Sequence, residues 1–184
     1  MAVVAVFNQK GGVGKTTTSL NVIAYLNGEG KRPFGIDLDS QAHLTLAHGL
    51  RNVAGDDSLF SFFSQKKKLP ELVRTSTSGL RLVPASIDLS KIDSLYGSST
   101  SITTRLKDGL RELLAPGPAP VIIDCCPMLG VLTLNALVAA DRVLIPVSAD
   151  FLSLQGVHRL TSALDVLEKK LNKKFMRRVV ITRF

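Results

Sequence analysis

Residues 7–18 read Phe-Asn-Gln-Lys-Gly-Gly-Val-Gly-Lys-Thr-Thr-Thr and follow directly on the apolar run Ala2–Val6. A short apolar run, a glycine-rich turn, then Lys-Thr opening a helical stretch is the order of a phosphate-binding loop between a strand and a helix. Gly11, Gly12 and Gly14 lack a Cβ, so the backbone around Val13 can turn its N–H groups inward as an anion nest. The helix that starts near Lys15 aims its positive end at the same point. Lys15 is placed to reach the β- and γ-phosphates of a nucleoside triphosphate, Thr16 to offer a hydroxyl to Mg²⁺, and Thr17 to add a phosphate contact. The loop departs from the usual G-x-x-x-x-G-K-[ST] form. Asn8 or Gln9 occupies the first glycine position, and a second lysine, Lys10, precedes the glycines. An ordinary loop has no task for that lysine.

Two strand-end carboxylate clusters complete the pattern. Ile36-Asp37-Leu38-Asp39-Ser40-Gln41 ends one apolar segment. Alternation sends Asp37 and Asp39 to the same side, at the sheet edge where phosphates would lie. A carboxylate there can orient an attacking water, the role expected of Asp39. Val121-Ile122-Ile123-Asp124 is a second apolar run ending in Asp, where such sites hold Mg²⁺ directly or through water. Cys125 and Cys126 follow; being adjacent, they exclude a disulfide framework and suit small buried fillers.

Further strand-like segments are Pro33–Asp37, Leu80–Pro84, Val143–Val147 and Arg178–Thr182, several of them apolar throughout, as strands covered on both faces are. Helical periodicity runs through Thr16–Asn27, Ile102–Leu114 and Ser153–Leu171, the last with Leu154, Val157, Leu160, Leu164, Leu167 and Leu171 on one stripe. Residues 51–79 read as short helices and a loop, and Ala115–Pro120 as a stiff connector. The alternation predicts an α/β fold with a mostly parallel sheet flanked by helices, and ligands beyond the carboxyl ends of the strands.

The chain has 184 residues, 45% of them hydrophobic, which suits one domain over 1–184. Its last residues are an apolar strand, so a C-terminal portion is expected beyond it. No apolar run approaches the ~20 residues of a membrane span. A cytoplasmic setting is expected. The net charge is +8, and residues 159–184 hold eight Lys/Arg against two Asp/Glu. Lys169, Lys170, Lys173, Lys174, Arg177 and Arg178 form a basic run that reads either as a polyanion-binding surface or as a solvated helix end complementing its dipole.

Lys10–Thr18, Asp37-Leu38-Asp39-Ser40-Gln41, Asp124-Cys125-Cys126-Pro127, Leu134–Val147 and Ser153-Leu154-Gln155-Gly156 together resemble the ParA/MinD group of P-loop ATPases with a deviant Walker A loop, and within it the ParA (Soj-like) branch. Ser40 and Cys126 stand where that group usually has Pro. The resemblance implies ATP/ADP and Mg²⁺ as ligands, with Lys15, Thr16, Asp39 and Asp124 on phosphate, metal and water. It implies that Lys10 crosses to the ATP of a second subunit, so that ATP drives homodimerisation. It places Thr182 and Arg183 near the adenine. It also implies binding to DNA without sequence preference, a nucleoid-associated location, and a ParB-like or other adaptor that stimulates slow hydrolysis in order to partition or position plasmid, chromosome or other cargo. The alternative is a MinD-like membrane-associated ATPase, which requires a C-terminal amphipathic helix. A metabolic ligase, an iron–sulfur carrier and a non-hydrolysing scaffold are the other uses of such a loop; adjacent cysteines do not suit the second, and Asp39 and Asp124 argue against the third.

Overall fold

The computed structural model describes residues 2–97 and 102–183, without the side chains of 151–155. Seven strands form one sheet: β1 Val3–Val6, β2 Phe34–Leu38, β3 Arg74–Thr75, β4 Arg81–Val83, β5 Val121–Cys125, β6 Arg142–Ser148 and β7 Met176–Thr182. Their order is β3-β4-β2-β5-β1-β6-β7. Every pairing is parallel except β3 with β4. The helices are α1 Lys15–Gly28, α2 His43–Ala47, α3 Leu59–Phe63, α4 Ile92–Tyr96, α5 Arg105–Leu113, α6 Val131–Ala139 and α7 Phe151–Leu171.

Strands β2 and β5 are buried along their whole length, which is why their sequences carry no polar alternation. On one face Val6, Leu82 and Ile122 pack with Ile23 of α1 and Leu44 of α2. On the other, Ala5, Ile36, Ile123 and Ile145 join Phe62 and Phe63 of α3, Leu106 and Leu110 of α5, Ala136 of α6, and Leu160 and Leu164 of α7. The expected stripe of α7 is therefore its core face; Leu154, part of it, lies outside the described side chains. Gly35 of β2 lets α1 approach, since a Cβ there would lie 2.9 Å from Ile23 Cδ1. No described helix is long and apolar enough to cross a membrane.

Four elements escaped the periodicity, and two of them, α2 and α4, are five residues each and too short to show a helical stripe. Helix α6 is apolar on nearly all sides, buried from Leu132 to Ala139 except Leu134, so it shows no stripe. The two-residue strand β3 is too short to alternate. The basic run is also not uniform. Lys169, Lys170, Lys174 and Arg178 are exposed. Lys173 instead donates from Nζ to the carbonyl oxygens of Leu137, Val138 and Ala140, closing the C-terminal end of α6. Arg177 is held by Asp165 at 2.8 Å and Glu168 at 2.9 Å, with its side chain 19% exposed. These two cations therefore work inside the fold.

Lys173→Met should keep the aliphatic stem and lose the helix closure, at a cost of about 1–3 kcal/mol. Lys174→Met, its exposed neighbour, should be neutral. Urea melts of both variants check this; equal stability would remove the closing role of Lys173.

Candidate functional site: a phosphate loop over three strand ends

The site is built at the carboxyl ends of β1, β2 and β5, where the register sets Val6 and Asp37 beside Asp124. Gly12 and Gly14 take φ of +72° and +86°, the left-handed region that L side chains rarely adopt. With those two turns made, the chain wraps round Val13, itself buried, and enters α1 at Lys15. Gly14 serves as the N-cap of α1 without any side-chain cap, leaving the first N–H groups of the helix directed at the loop.

Three further contacts fasten the loop to distant strands. Asn8 is 5% exposed. Its Nδ2 donates to the Pro146 carbonyl of β6 at 2.8 Å, and its Oδ1 accepts from Lys10 N at 3.0 Å. This is why an amide suits the place of the usual first glycine. At the end of β7, Thr182 Oγ1 donates to Val13 O at 2.8 Å and Arg183 Nη1 to Gly12 O at 3.0 Å. Arg183, expected beside adenine from the resemblance, here lies on the loop backbone.

The two lysines occupy different settings. Lys15 is 8% exposed and its Nζ donates to Lys10 O at 3.1 Å, within the loop. Burial lowers its pKa, and the carboxylates of Asp124 and Asp39 oppose that. Lys10 points outward, its Nζ on Asp150 Oδ1 and Oδ2 at 3.0 and 3.2 Å. Both side chains of that pair are more than 40% exposed. Asp150 was missed by the sequence reading, although it follows an apolar strand as Asp124 ends one.

Among the carboxylates, Asp124 is 1% exposed. Its Oδ1 accepts from Ser19 Oγ at 3.0 Å, while Oδ2 is buried with no hydrogen-bond partner. Burial raises its pKa to about 6, with Thr16 and Ser19 hydroxyls pulling it back. An orphaned, buried carboxylate oxygen beside Thr16 and Lys15 is a donor set suited to a divalent cation. Together with the loop glycines it fits a Mg²⁺-bound nucleotide phosphate. Asp39 is half-buried and its Oδ1 accepts from Gln41 N at 3.0 Å.

Asp37 does not share the position expected for it. It is fully buried and spends its carboxylate within the protein: Oδ2 accepts from Thr45 N at 2.8 Å and Thr45 Oγ1 at 2.6 Å, and Oδ1 from Asp39 N at 3.1 Å. Thr45 Oγ1 in turn accepts from Ala85 N beyond β4 at 2.9 Å. Asp37 therefore ties the segment carrying Asp39 to α2 and β4. Burial, more than the nearby Asp124 charge, lifts its pKa to about 7. Thr45 carried no signal in the sequence, because a lone threonine inside an apolar helix looks like filler.

Residues 1–177 match a family model described as an AAA domain. The chromosome partitioning protein ParA of Caulobacter vibrioides is 35% identical over 187 residues, covering 100% of this chain and 70% of that protein. The chromosome-partitioning ATPase Soj of Thermus thermophilus is 39% identical over 172 residues, covering 93% of this chain and 64% of Soj. Among solved structures, cobyrinic acid a,c-diamide synthase from Mycobacterium smegmatis with bound ATP analog and magnesium superposes with a TM-score of 0.90 at 31% identity, covering 98% of this chain and 74% of that one.

The buried carboxyl of Asp124 gives a stability test. Its folded pKa of about 6 lies above the ordinary value of 3.8, so the folded state holds more protons than the unfolded state between those values. The nucleotide-free protein should thus lose stability as pH rises from about 4 through 6. Asp124→Asn should be more stable than the parent by up to about 3 kcal/mol at pH 8, with the gain vanishing toward pH 4. The same variant should lose the extra thermal stability that Mg²⁺ adds to nucleotide. Parallel pH-dependent melts check both halves.

Proposed function

The chain belongs to the ParA/Soj family of P-loop ATPases, and from that membership we propose that it partitions or positions a cellular cargo. In this reading it pairs with a second copy when ATP is bound, associates with DNA without sequence preference, and is reset by hydrolysis that a ParB-like or other adaptor stimulates. A nucleoid-associated location in a bacterial cytoplasm follows from the same reading. The observation that carries it is the division between the two lysines. Lys15 is buried within its own loop, whereas Lys10 holds its ammonium outside, on Asp150.

The residues divide the work as follows. The N–H groups around Val13 and the ammonium of Lys15 bind the phosphates. Thr16 and Asp124 hold Mg²⁺, which when bound screens the charge of the β- and γ-phosphate oxygens. Asp39 orients the attacking water. The Lys10–Asp150 pair is a solvent-exposed ion pair worth about 0–1 kcal/mol, so exchanging Asp150 for the γ-phosphate of a second subunit costs little. Lys10 then supplies positive charge in trans where negative charge builds up in the transition state, as an arginine finger does.

For DNA, the support is the exposed set Lys169, Lys170, Lys174 and Arg178; Lys173 and Arg177 are engaged within the protein. The relatives named above are longer than this chain, and the surface they add stands outside this reading.

The lysines should separate by phenotype. Lys15→Ala is expected to lose ATP binding. Lys10→Ala is expected to bind ATP as a monomer, and neither to dimerise nor to release phosphate above background. Sedimentation with ATP, paired with a phosphate assay in the absence of any organic acceptor, measures both. A Lys10→Ala protein that dimerises normally would exclude the trans role, and turnover that required an acceptor would favour a synthase instead.

A second outcome concerns the basic surface. Changing Lys169, Lys170 and Lys174 to Glu should weaken ATP-dependent DNA binding. It should also flatten the salt dependence by roughly 0.9 in log K per log salt for each DNA phosphate no longer neutralised. ATP affinity should stay at the parental value. Unchanged DNA affinity in fluorescence anisotropy would remove this surface from the reading.

A further inference from the structure

At the opposite pole from the phosphate loop, where β2 and β4 begin, lies a cleft of about 430 Å³. Its charged lining residues are Lys31, Arg32 and Arg81, with no acidic residue among them. The remaining walls come from Gly30, Phe34, Leu113 and the 116–119 turn that leads into β5. Among the described residues, none of the three cations forms an ion pair. Other basic side chains of this chain, such as Lys66, Lys67 and Arg177, do have carboxylate partners.

Arg81 is unusual within this set. Its guanidinium carbon stands 3.6 Å from the centroid of the Phe34 ring, so the cation is held over an aromatic face. Its Nε is buried and has no hydrogen-bond partner. A buried donor without an acceptor costs about 1–3 kcal/mol, more for a charged group. Burial, and then the positive charge of Arg32, holds the Arg81 guanidinium below its ordinary pKa. Arg32 itself sits at φ +45°, a conformation a long L side chain rarely takes. The cleft thus combines crowded like charge, an unmet donor and a strained residue.

The bland account is that these cations offset the negative ends of two helices, since α1 finishes at Gly28 and α5 at Leu113. The end of α1 is already closed. Gly30, at φ +71°, donates its N–H to Asn27 O at 3.0 Å, and Lys31 N–H bonds Leu26 O at 3.0 Å, the pairing of a Schellman motif. Two helix ends amount to roughly one negative charge together, against three full positive ones. The balance stays positive by about two charges, the charge of a phosphate group or a pair of phosphodiesters.

We propose that this cleft is a second anion site, separate from the nucleotide site, in which Arg81 on its aromatic platform, with Arg32 and Lys31, receives a phosphate group of a ligand. Two sources share that chemistry, a small phosphorylated compound and the backbone of a nucleic acid. The inference stands on the cleft alone and does not depend on the partition reading.

The test uses protein whose nucleotide site is saturated with ADP and Mg²⁺, titrated with pyrophosphate in a calorimeter. Uptake near one pyrophosphate per chain is expected, weakened at least ~10-fold by Lys31→Glu with Arg32→Asn, in line with the loss of charge-assisted hydrogen bonds. Asn tolerates positive φ, so this variant keeps the backbone. Without anion, Arg32→Asn should melt above the parent, because repulsion and strain are both relieved; in excess pyrophosphate the order should reverse. A purely structural role of Arg32 would give no crossing. Competition by duplex DNA assigns the site to a nucleic-acid backbone, and its failure to compete assigns it to a small phosphorylated compound. Absence of pyrophosphate uptake, or uptake equal in parent and double variant, overturns the proposal.

Discussion

The constraint on which this protein is arranged is the burial of charge at the carboxyl ends of its central strands. Lys15, Asp37 and Asp124 are all withdrawn from water there, and burial moves each pKa toward the neutral form. Such groups are tolerated only when partners are supplied. Asp37 receives three donors from within the chain and becomes structural. Asp124 receives one at Oδ1 and none at Oδ2. That difference separates a carboxylate spent on holding the fold from one that keeps a buried oxygen without a partner.

The phosphate loop is held by strands that lie far along the sequence. Asn8 leans on β6, and Thr182 and Arg183 at the end of β7 hold the carbonyls of Val13 and Gly12. A loop of glycines has little conformational preference of its own, so its shape comes from these outside contacts. β6 and β7 run beside β1 on the same side of the sheet. The strand order is thereby coupled to the phosphate site, and Lys10 is stationed on Asp150 just past β6.

The net charge of +8 says less about function than its distribution does. Of the six basic residues at 169–178, Lys173 closes a helix and Arg177 bridges two acids, while four face solvent. Three other cations, the neighbours Lys31 and Arg32 and the distant Arg81, meet at the beginning of β2 and β4 with no acid lining the cleft. A count along the chain emphasises the first group and cannot see the second. Proximity in sequence is a poor measure of field, because Coulomb energy follows distance in space.

What the sequence determined by itself was local and periodic. The order strand, glycines, Lys-Thr, helix at residues 2–18 sufficed for the phosphate loop, since nest and helix end are made by adjacent residues. Continuous apolar runs ending in Asp sufficed for β2 and β5, because a strand buried on both faces admits few polar residues along its length. The parallel sheet followed from alternation of elements. Helix α6 was illegible, because a helix apolar on nearly every side has no period. Only the tertiary structure decided which of two similar carboxylates, Asp37 or Asp124, was left without a full set of partners. Likewise, only it placed Lys10 on Asp150 and put Lys31, Arg32 and Arg81 in one cleft. Each of those outcomes depends on contacts between residues far apart in the chain, and a hydrogen-bond donor 8 or 140 residues away leaves no mark on the local pattern.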